Sequence, residues 1–451
     1  MFVLEKFLKL LNLRAEEAKL ALSLWLLLAI NMMVLELSDV VATAGFVSNL
    51  GVDKVPALWI ITTLITIFAA GGYVLFVDRF SRLNLVTWLL LGLAAIYLVL
   101  QVLFEVGISE LITYPALYVL ADQQFMIMPL AFWALANDVY SMSESQRIFP
   151  IVASGAVIGG LMGNGLAAGP AVYLAEKTGS IASILMLAAS LLVLAVVLIR
   201  SVFRKRPLRA RQSREADVNL RDTLKVGLDY FQNLPLFKAV GYLMIFAGIV
   251  LTLIEFNFLA IIESSVASDL EFQQFLGLYK AVQTTGILLF QWLITSRILT
   301  KISLKNAFSV LPIALTTASV VALALPNLIG GAASRFFSRT VLDAWDDPAR
   351  KALQGLIPDE RRGRIATFMD SYFITSATIL ACLLLITLLS LAGSGVIGPE
   401  LATKIYLTVA GLAAAGGVAS SFYLKKVYDA SLLNYRLARS KRKSVLDGIE
   451  F

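Results

Sequence analysis

The stretch DDPARKALQGLIPDERRGRIATFMD, residues 346–370, carries ten charged side chains in twenty-five residues: Asp346, Asp347, Arg350, Lys351, Asp359, Glu360, Arg361, Arg362, Arg364 and Asp370. Its surroundings make that density unusual, because 59% of the 451 residues are hydrophobic and only 15% are charged. Mean hydropathy is +0.81. Soluble domains rarely pass half apolar, since so much exposed hydrocarbon would aggregate. The chain therefore reads as a membrane protein, and the stretch as a polar connection between apolar spans.

A hydrocarbon core about 30 Å thick takes roughly 20 apolar residues per helix. Counted that way, spans fall near 18–46, 55–77, 85–104, 112–136, 149–170 and 180–200 in one half. In the other they fall near 236–259, 273–296, 307–325, 327–345, 365–390 and 401–424. The expectation is an all-α polytopic protein with twelve transmembrane helices in two six-helix halves. The flanking segments are an amphipathic start (1–17), a basic linker (201–235) and a basic tail (425–451). The start has apolar residues at helical spacing and no small-residue cleavage site, so it reads as an interfacial helix, not a removable signal peptide.

Lysine and arginine favour short cytoplasmic loops. Arg79, Arg82, Arg147, Arg297, Lys301 and Lys305 lie on the even-numbered sides with the 346–370 cluster, whereas the opposite sides offer Lys54, Lys177 and Lys404. Both termini and the linker are basic as well and are expected in the cytoplasm. The net charge of +7 is mostly topology. No basic patch comes interleaved with exposed aromatics on a soluble domain, which argues against nucleic acid as a partner.

Several chemistries lack their parts. The chain has no histidine and a single cysteine, Cys382. A cysteine metal site, an internal disulfide and a Ser/His/Asp set are therefore out, no metal or cofactor is expected, and proton coupling would fall to carboxylates. No GxxxxGK[ST] loop is present to cradle phosphates. The run SGAVIGGLMGNGLAAG (154–169) sits inside a span, where small residues let helices approach closely; it reads as packing, not as a nucleotide loop.

The loops repeat. VDRFSRLNL (77–85) follows the second span and SRILTKISLKN (296–306) the eighth, while NDVYSMSESQRIFP (137–150) follows the fourth span and 346–370 the tenth. Two six-helix halves joined by a long cytoplasmic linker are the arrangement of the major facilitator superfamily, and Asp78-Arg79 with Arg82 partly resembles its loop between helices 2 and 3. That resemblance implies a midplane substrate site between the halves and alternating access by rocking.

Three phrases are similar to the ATP:ADP antiporters, the nucleotide transporter family of plastids and obligate intracellular bacteria. In FWALANDVYSMSESQRIFP (132–150) they are Trp133, Ala136-Asn137-Asp138, Glu144, Arg147, Phe149 and Pro150. LTLIEFNFL (251–259) resembles the family's helix-7 phrase with a membrane glutamate, here Glu255. In the opening stretch they are Asp347-Pro348, Lys351, Ile357-Pro358, Asp359-Glu360 and Asp370. The resemblance implies exchange residues at Asp138, Glu255 and Lys351. It departs at Ser38-Asp39, where the family reads Lys-Asp, and at Leu259, where it has a helix-7 lysine.

Two missing lysines weaken the neutralisation that a nucleotide's charges need at low dielectric. Lys280, Arg335 and Arg339 could restore some of it, the two arginines standing one helical turn apart. Glu36, Asp39, Asp122, Glu255 and Asp370 oppose them, and Glu255 with Lys280 also reads as a structural ion pair. Ionisable groups inside spans default to functional candidates, so substrate binding or coupling is assigned to Glu36, Ser38, Asp39, Asp122, Glu255, Lys280, Arg335, Arg339 and Asp370. A cytoplasmic gate is assigned to Asp78, Arg79, Asp138, Glu144, Arg147, Asp346, Asp347, Lys351 and Arg364. The function expected is a secondary carrier of a small anionic organic solute, a nucleotide among the candidates, monomeric and resident in a bacterial inner membrane. A proton-coupled exporter of amphipathic compounds and a non-transporting receptor or anchor are the alternatives; the basic tail would suit an anchor.

Overall fold

The computed structural model describes residues 15–77, 80–140, 142–203, 231, 233–299, 301–354 and 368–446, and among these it contains no strand. Helix is the form in which an apolar chain satisfies its own peptide groups where no water can do so. The helices are α1 (Ala15–Leu50), α2 (Val55–Val77), α3 (Arg82–Glu105), α4 (Glu110–Val139), α5 (Met142–Ala168), α6 (Pro170–Thr178) and α7 (Ala182–Phe203). They continue as α8 (Pro235–Ser265), α9 (Asp269–Phe290), α10 (Val310–Ala324), α11 (Leu328–Val341), α12 (Asp347–Gln354), α13 (Ile374–Gly393) and α14 (Pro399–Leu446).

Helix ends follow local chemistry. Ser81 caps α3 by accepting from the Asn84 amide at 3.4 Å, and Asn327 caps α11 by accepting from Gly330 N at 2.9 Å, filling donors that the first turn leaves open. The turns after α1, α3, α6 and α13 each contain a glycine at positive φ: Gly51, Gly107, Gly179 and Gly395. Reversing direction in so few residues requires a left-handed backbone, which a side chain opposes.

Ten helices among the described residues are long and apolar enough to cross a membrane. Two of the expected twelve fall outside that set, for a physical reason. The eighth and tenth expected spans are helical, but α9 carries Asp269, Glu271 and Lys280, while α11 has fourteen residues including Arg335 and Arg339. Both continue through a single wide turn, Gln291–Thr295 and Leu342–Asp346 respectively. The two helices that miss the apolar test are thus the two that bring cations into the interior. The last expected span continues into the basic tail as one helix of 48 residues, Pro399–Leu446.

Two compact units result. Unit 1 comprises 1–54, 61–216 and 266–285; unit 2 comprises 55–60, 217–265 and 286–451. In unit 1, α1 packs chiefly on α5 and also on α4 and α7, and α3 packs on α7 and α4. In unit 2, α8 packs on α14, α13 and α11, and α10 packs on α14 and α11. The glycine run is a packing seam. A Cβ at Gly155, Gly159 or Gly163 would come within 2.5, 2.1 and 2.4 Å of the Trp25, Ala29 and Met33 carbonyl oxygens, so the two backbones touch along three successive turns.

Candidate functional site

Unit 1 holds an ion cluster built from two helices. Glu36 and Asp39 are three residues apart on α1 and share a face. The α9 segment up to Thr285 belongs to this unit, and Lys280 Nζ sits 3.4 Å from Glu36 Oε2 and in ion contact with Asp39 Oδ2. The Lys280 side chain is 18% exposed, against 24% for Glu36 and 33% for Asp39. Two carboxylates thus share one ammonium in a partly desolvated setting, where Coulomb energies are far larger than in water. Nearby on α4, Asp122 accepts from Thr66 Oγ1 and Gln123 Nε2, both at 3.2 Å, and its charge interacts with that of Asp39.

Ser38 has a different setting from its neighbours. It is buried, its hydroxyl donates to Val34 O at 2.5 Å, and Tyr97 OH lies 2.7 Å from its oxygen. Tyr97 also reaches Gln124 Oε1 at 2.8 Å, and Gln124 Nε2 donates to Asn31 Oδ1 at 3.0 Å. Asn31, Ser38, Tyr97 and Gln124 form a closed polar network in the helix core, the arrangement that buried polar groups require. Sequence reasoning listed Ser38 for its position beside Asp39 and missed the other three. The available signal was polar residues at mid-span in Leu- and Ala-rich runs.

Unit 2 holds a buried ion pair. Arg335 Nε on α11 donates to Glu255 Oε2 on α8 at 2.7 Å, and its guanidinium lies 4.8 Å from the centre of the Phe258 ring. Only 6% of the Arg335 side chain is exposed, and an aromatic face adds to the stabilisation of a cation held out of water. The structure therefore gives Glu255 an arginine partner and Lys280 two acidic ones, where the sequence reading had paired Glu255 with Lys280. Arg339, one turn beyond Arg335, is exposed and makes no salt bridge among the described residues. Asp343, one turn further, interacts with its charge. Asn257 and Tyr406 were not anticipated; Tyr406 OH donates to Asn257 Oδ1 at 2.9 Å and ties α14 to α8.

The residues assigned to a gate make pairs within each unit. Asp138, at the end of α4, lies 3.9 Å from Arg82, which opens α3. Arg147 grips both oxygens of Glu17 at 2.8 and 2.9 Å, a partner on α1 that sequence reasoning did not name. Glu144 is half-buried in the first turn of α5. In unit 2, Arg350 Nε meets Asp346 at 2.8 Å and its Nη2 meets Asp347 at 3.2 Å, while Lys351 holds Asp347 from outside at 2.5 Å. Asp346 is fully buried, and burial pushes its carboxyl from the ordinary 3.8 up to about 6 against the pull of Arg350. Asp78, Arg79 and Arg364 lie outside the described residues, and Asp370 is described by its backbone alone, in the wide turn Phe368–Phe373.

The architecture has counterparts among solved transporters. The nucleoside transporter NupG matches at 14% identity with a TM-score of 0.61, over 91% of this chain and 99% of that one. The peptide transporter POT in complex with sulfate matches at 14% identity and 0.60, over 91% and 94%. A bacterial homologue of the iron transporter ferroportin, in an inward-facing state, matches at 15% identity and 0.59, over 90% and 99%. Identities this low speak for the fold alone, which is that of the major facilitator transporters. No curated protein matches the sequence. The family model described as TLC ATP/ADP transporter matches residues 46–342, a segment that includes Asp122, Glu255, Lys280, Arg335 and Arg339. Because that match spans well over half of the chain, the protein belongs to the TLC ATP/ADP transporter family and is a secondary transporter of major facilitator fold.

Proposed function

We propose that the protein carries a small anionic organic solute by alternating access, with a nucleotide as the leading cargo, as a monomer in a bacterial inner membrane with both termini cytoplasmic. The observation that carries the anionic cargo is Arg339: an exposed guanidinium one turn from an ion-paired Arg335, inside the family-matched segment. Guanidinium is suited to carboxylate and phosphate, which it grips with two parallel hydrogen bonds. The cationic inventory is thinner than the family resemblance implies, because Ser38 is locked in the core network and Leu259 is buried and apolar. A cargo with fewer charges than a nucleoside triphosphate fits that inventory better. Uptake of labelled ATP, ADP, AMP and nucleoside into nucleotide-loaded proteoliposomes tests this. Exchange that drops at least tenfold in Arg339→Gln supports it, and the absence of uptake for every phosphorylated compound sinks it.

Within that cycle the gate assignments stand as part of the proposal: Asp78, Arg79, Asp138, Glu144 and Arg147 in one half, Asp346, Asp347, Lys351 and Arg364 in the other. A latch shifts an equilibrium only through contacts that differ between its states. Intra-unit pairs such as Arg350–Asp346 then serve to hold the ends in shape, and the gating contacts must be others. Reversing Asp347 and Arg364, singly and together, should change the balance of inward and outward states; an unchanged balance in all three variants rejects the gate.

A further inference from the structure

The cluster on α1 and α9 is unbalanced, and the imbalance has a consequence for coupling. Among the described residues, Lys280 meets two carboxylates, Glu36 at 3.4 Å and Asp39 in ion contact, and its single charge can neutralise one of them. Every helix packed on α1 in this unit can be searched for a second cation. From α4 the charged neighbour is Asp122, another acid. From α3 it is Tyr97, held by Ser38 and Gln124. α7 has Arg200 alone, in its last turn. α5 carries Glu144 and Arg147 at its start, where Arg147 is occupied by Glu17, and no ionisable residue from Ile148 to Ala168. Excess negative charge at mid-span is costly unless something positive joins it.

A second observation falls at the same place. Asn164 on α5 is 1% exposed, and among the described residues neither its amide nitrogen nor its oxygen has a hydrogen-bond partner. It stands one turn beyond Gly160, the position of α5 that faces Glu36 Cγ, and follows Gly163, which faces Glu36 Cβ. Its own peptide oxygen lies against Gly277, one turn before Lys280. Asn164 therefore occupies the seam of α1, α5 and α9 that carries the cluster. Buried amides are almost always satisfied, so an orphaned one points to a partner acquired in another protonation or ligand state. A protonated carboxyl is a donor as well as an acceptor and could satisfy the Asn164 oxygen, whereas two carboxylates offer acceptors only.

We propose that Glu36 and Asp39, sharing the Lys280 ammonium beside Asn164, form a proton-binding site that couples cargo movement to a proton gradient. Proton binding converts the two-to-one cluster into a balanced carboxylate–ammonium pair beside a neutral carboxyl, and proton release restores the charged state. A conformational step that crosses the membrane more readily in the balanced state would then be driven by the gradient. The proposal concerns the energy source and rests on the carrier reading only for its transport arm.

Two measurements on the reconstituted full chain separate the proton site from the cargo. The first is an infrared titration of the carboxyl band from about pH 4 to about pH 9, bracketing the ordinary range of carboxylates. A protonated-carboxyl band that titrates in the wild type should vanish in Asp39→Asn or Glu36→Gln. In Lys280→Gln, where the ammonium no longer competes with the proton, it should persist to higher pH. The second is uptake of labelled ADP with and without a one-unit gradient, acid outside and membrane potential clamped. One proton per cargo allows about tenfold accumulation in the wild type, and the ratio should fall to about one in Asp39→Asn. A titrating band without ADP uptake leaves the proton site standing and removes the nucleotide. A band unchanged in both acid variants, or ADP uptake indifferent to the gradient in the wild type, overturns the proposal.

Discussion

The first helix of each half carries a glutamate into the membrane, and the two glutamates live under different rules. Glu255 on α8 has Arg335, which is buried, ion-paired and stacked over Phe258. Glu36 on α1 shares Lys280 with Asp39, and that ammonium is 18% exposed where Arg335 is 6%. An ion pair with its cation taken out of water is a structural commitment, since removing the acid leaves that cation short of its partner in low dielectric. A two-to-one cluster is already short of positive charge and tolerates the loss of one acid. The comparison teaches that an intramembrane carboxylate is read through its stoichiometry, and that of these two sites the unbalanced one is the place for change.

Truncating one member of each cluster tests the contrast most severely. Glu255→Ala should cost about 3–5 kcal/mol by leaving the Arg335 guanidinium buried without its carboxylate. Asp39→Ala should cost below about 1 kcal/mol, because Lys280 keeps Glu36 and the site is partly solvated. Thermal unfolding midpoints in detergent give the ranking, and equal or inverted losses would break the distinction. The packing seams sharpen it. Gly159→Ala places a Cβ 2.1 Å from the Ala29 carbonyl oxygen, against backbone that cannot step aside, and should cost about 1–3 kcal/mol. Gly417→Ala in unit 2 meets Pro312 at 3.4 Å and should stay within about 0.5 kcal/mol. Similar losses at both sites would show that the close approach of α1 and α5 is not special to unit 1.

These differences divide what the sequence could reveal from what it could not. Hydropathy alone made the membrane class and ten of the spans legible, because each crossing must bury about twenty apolar residues whatever its neighbours are. At α9 and α11, both helical where spans were expected, the apolar signal is weaker for the reason that makes those helices interesting: interior charge lowers hydropathy. The phrases around Asp138, Glu255 and Asp347 led to the family, and the glycine run already read as packing. Partners were another matter. Glu255 and Lys280 looked like neighbours because their helices are consecutive, yet Arg335 is 80 residues from Glu255 and Asp39 is 241 from Lys280. Nothing local in ELSD distinguishes Ser38, turned to Tyr97, from Asp39, turned to Lys280. That needs the rotation of α1 against α3 and α9.

The ends of the fourth span in each half extend the comparison toward smaller effects. Asp138 lies 3.9 Å from Arg82 with a fifth of each side chain exposed, while Asp346 is 2% exposed and 2.8 Å from Arg350. Burial raises the Asp346 carboxyl to about 6, above its ordinary 3.8. The sign follows from which form the fold prefers. A raised value means the neutral acid is favoured when folded, so its contribution to stability is full below 3.8 and is lost as pH climbs through about 6. The wild type should therefore lose stability relative to Asp346→Asn mainly between about pH 4 and about pH 6, by a few degrees in the unfolding midpoint. A constant difference between the two proteins across that window would mean that Arg350 keeps Asp346 charged throughout.

Lys351 should show the smallest effect on stability and the most informative split. It holds Asp347 from the exposed side, with two thirds of its side chain in solvent, and Asp347 keeps Arg350 at 3.2 Å when Lys351 is gone. An exposed pair of this kind at i, i+4 contributes about 0.3–0.5 kcal/mol. Lys351→Ala should thus leave the unfolding midpoint within about a degree of the wild type. Transport is the discriminating readout, since the same ammonium is one of the gate assignments and matches the family's helix-10 loop in kind. If transport falls severalfold while the midpoint holds, the exposed ammonium acts in the cycle and not in the fold. If both are unchanged, Lys351 is ordinary positive-inside charge and leaves the gate, whose unit 2 side then rests on the Asp347 and Arg364 reversals.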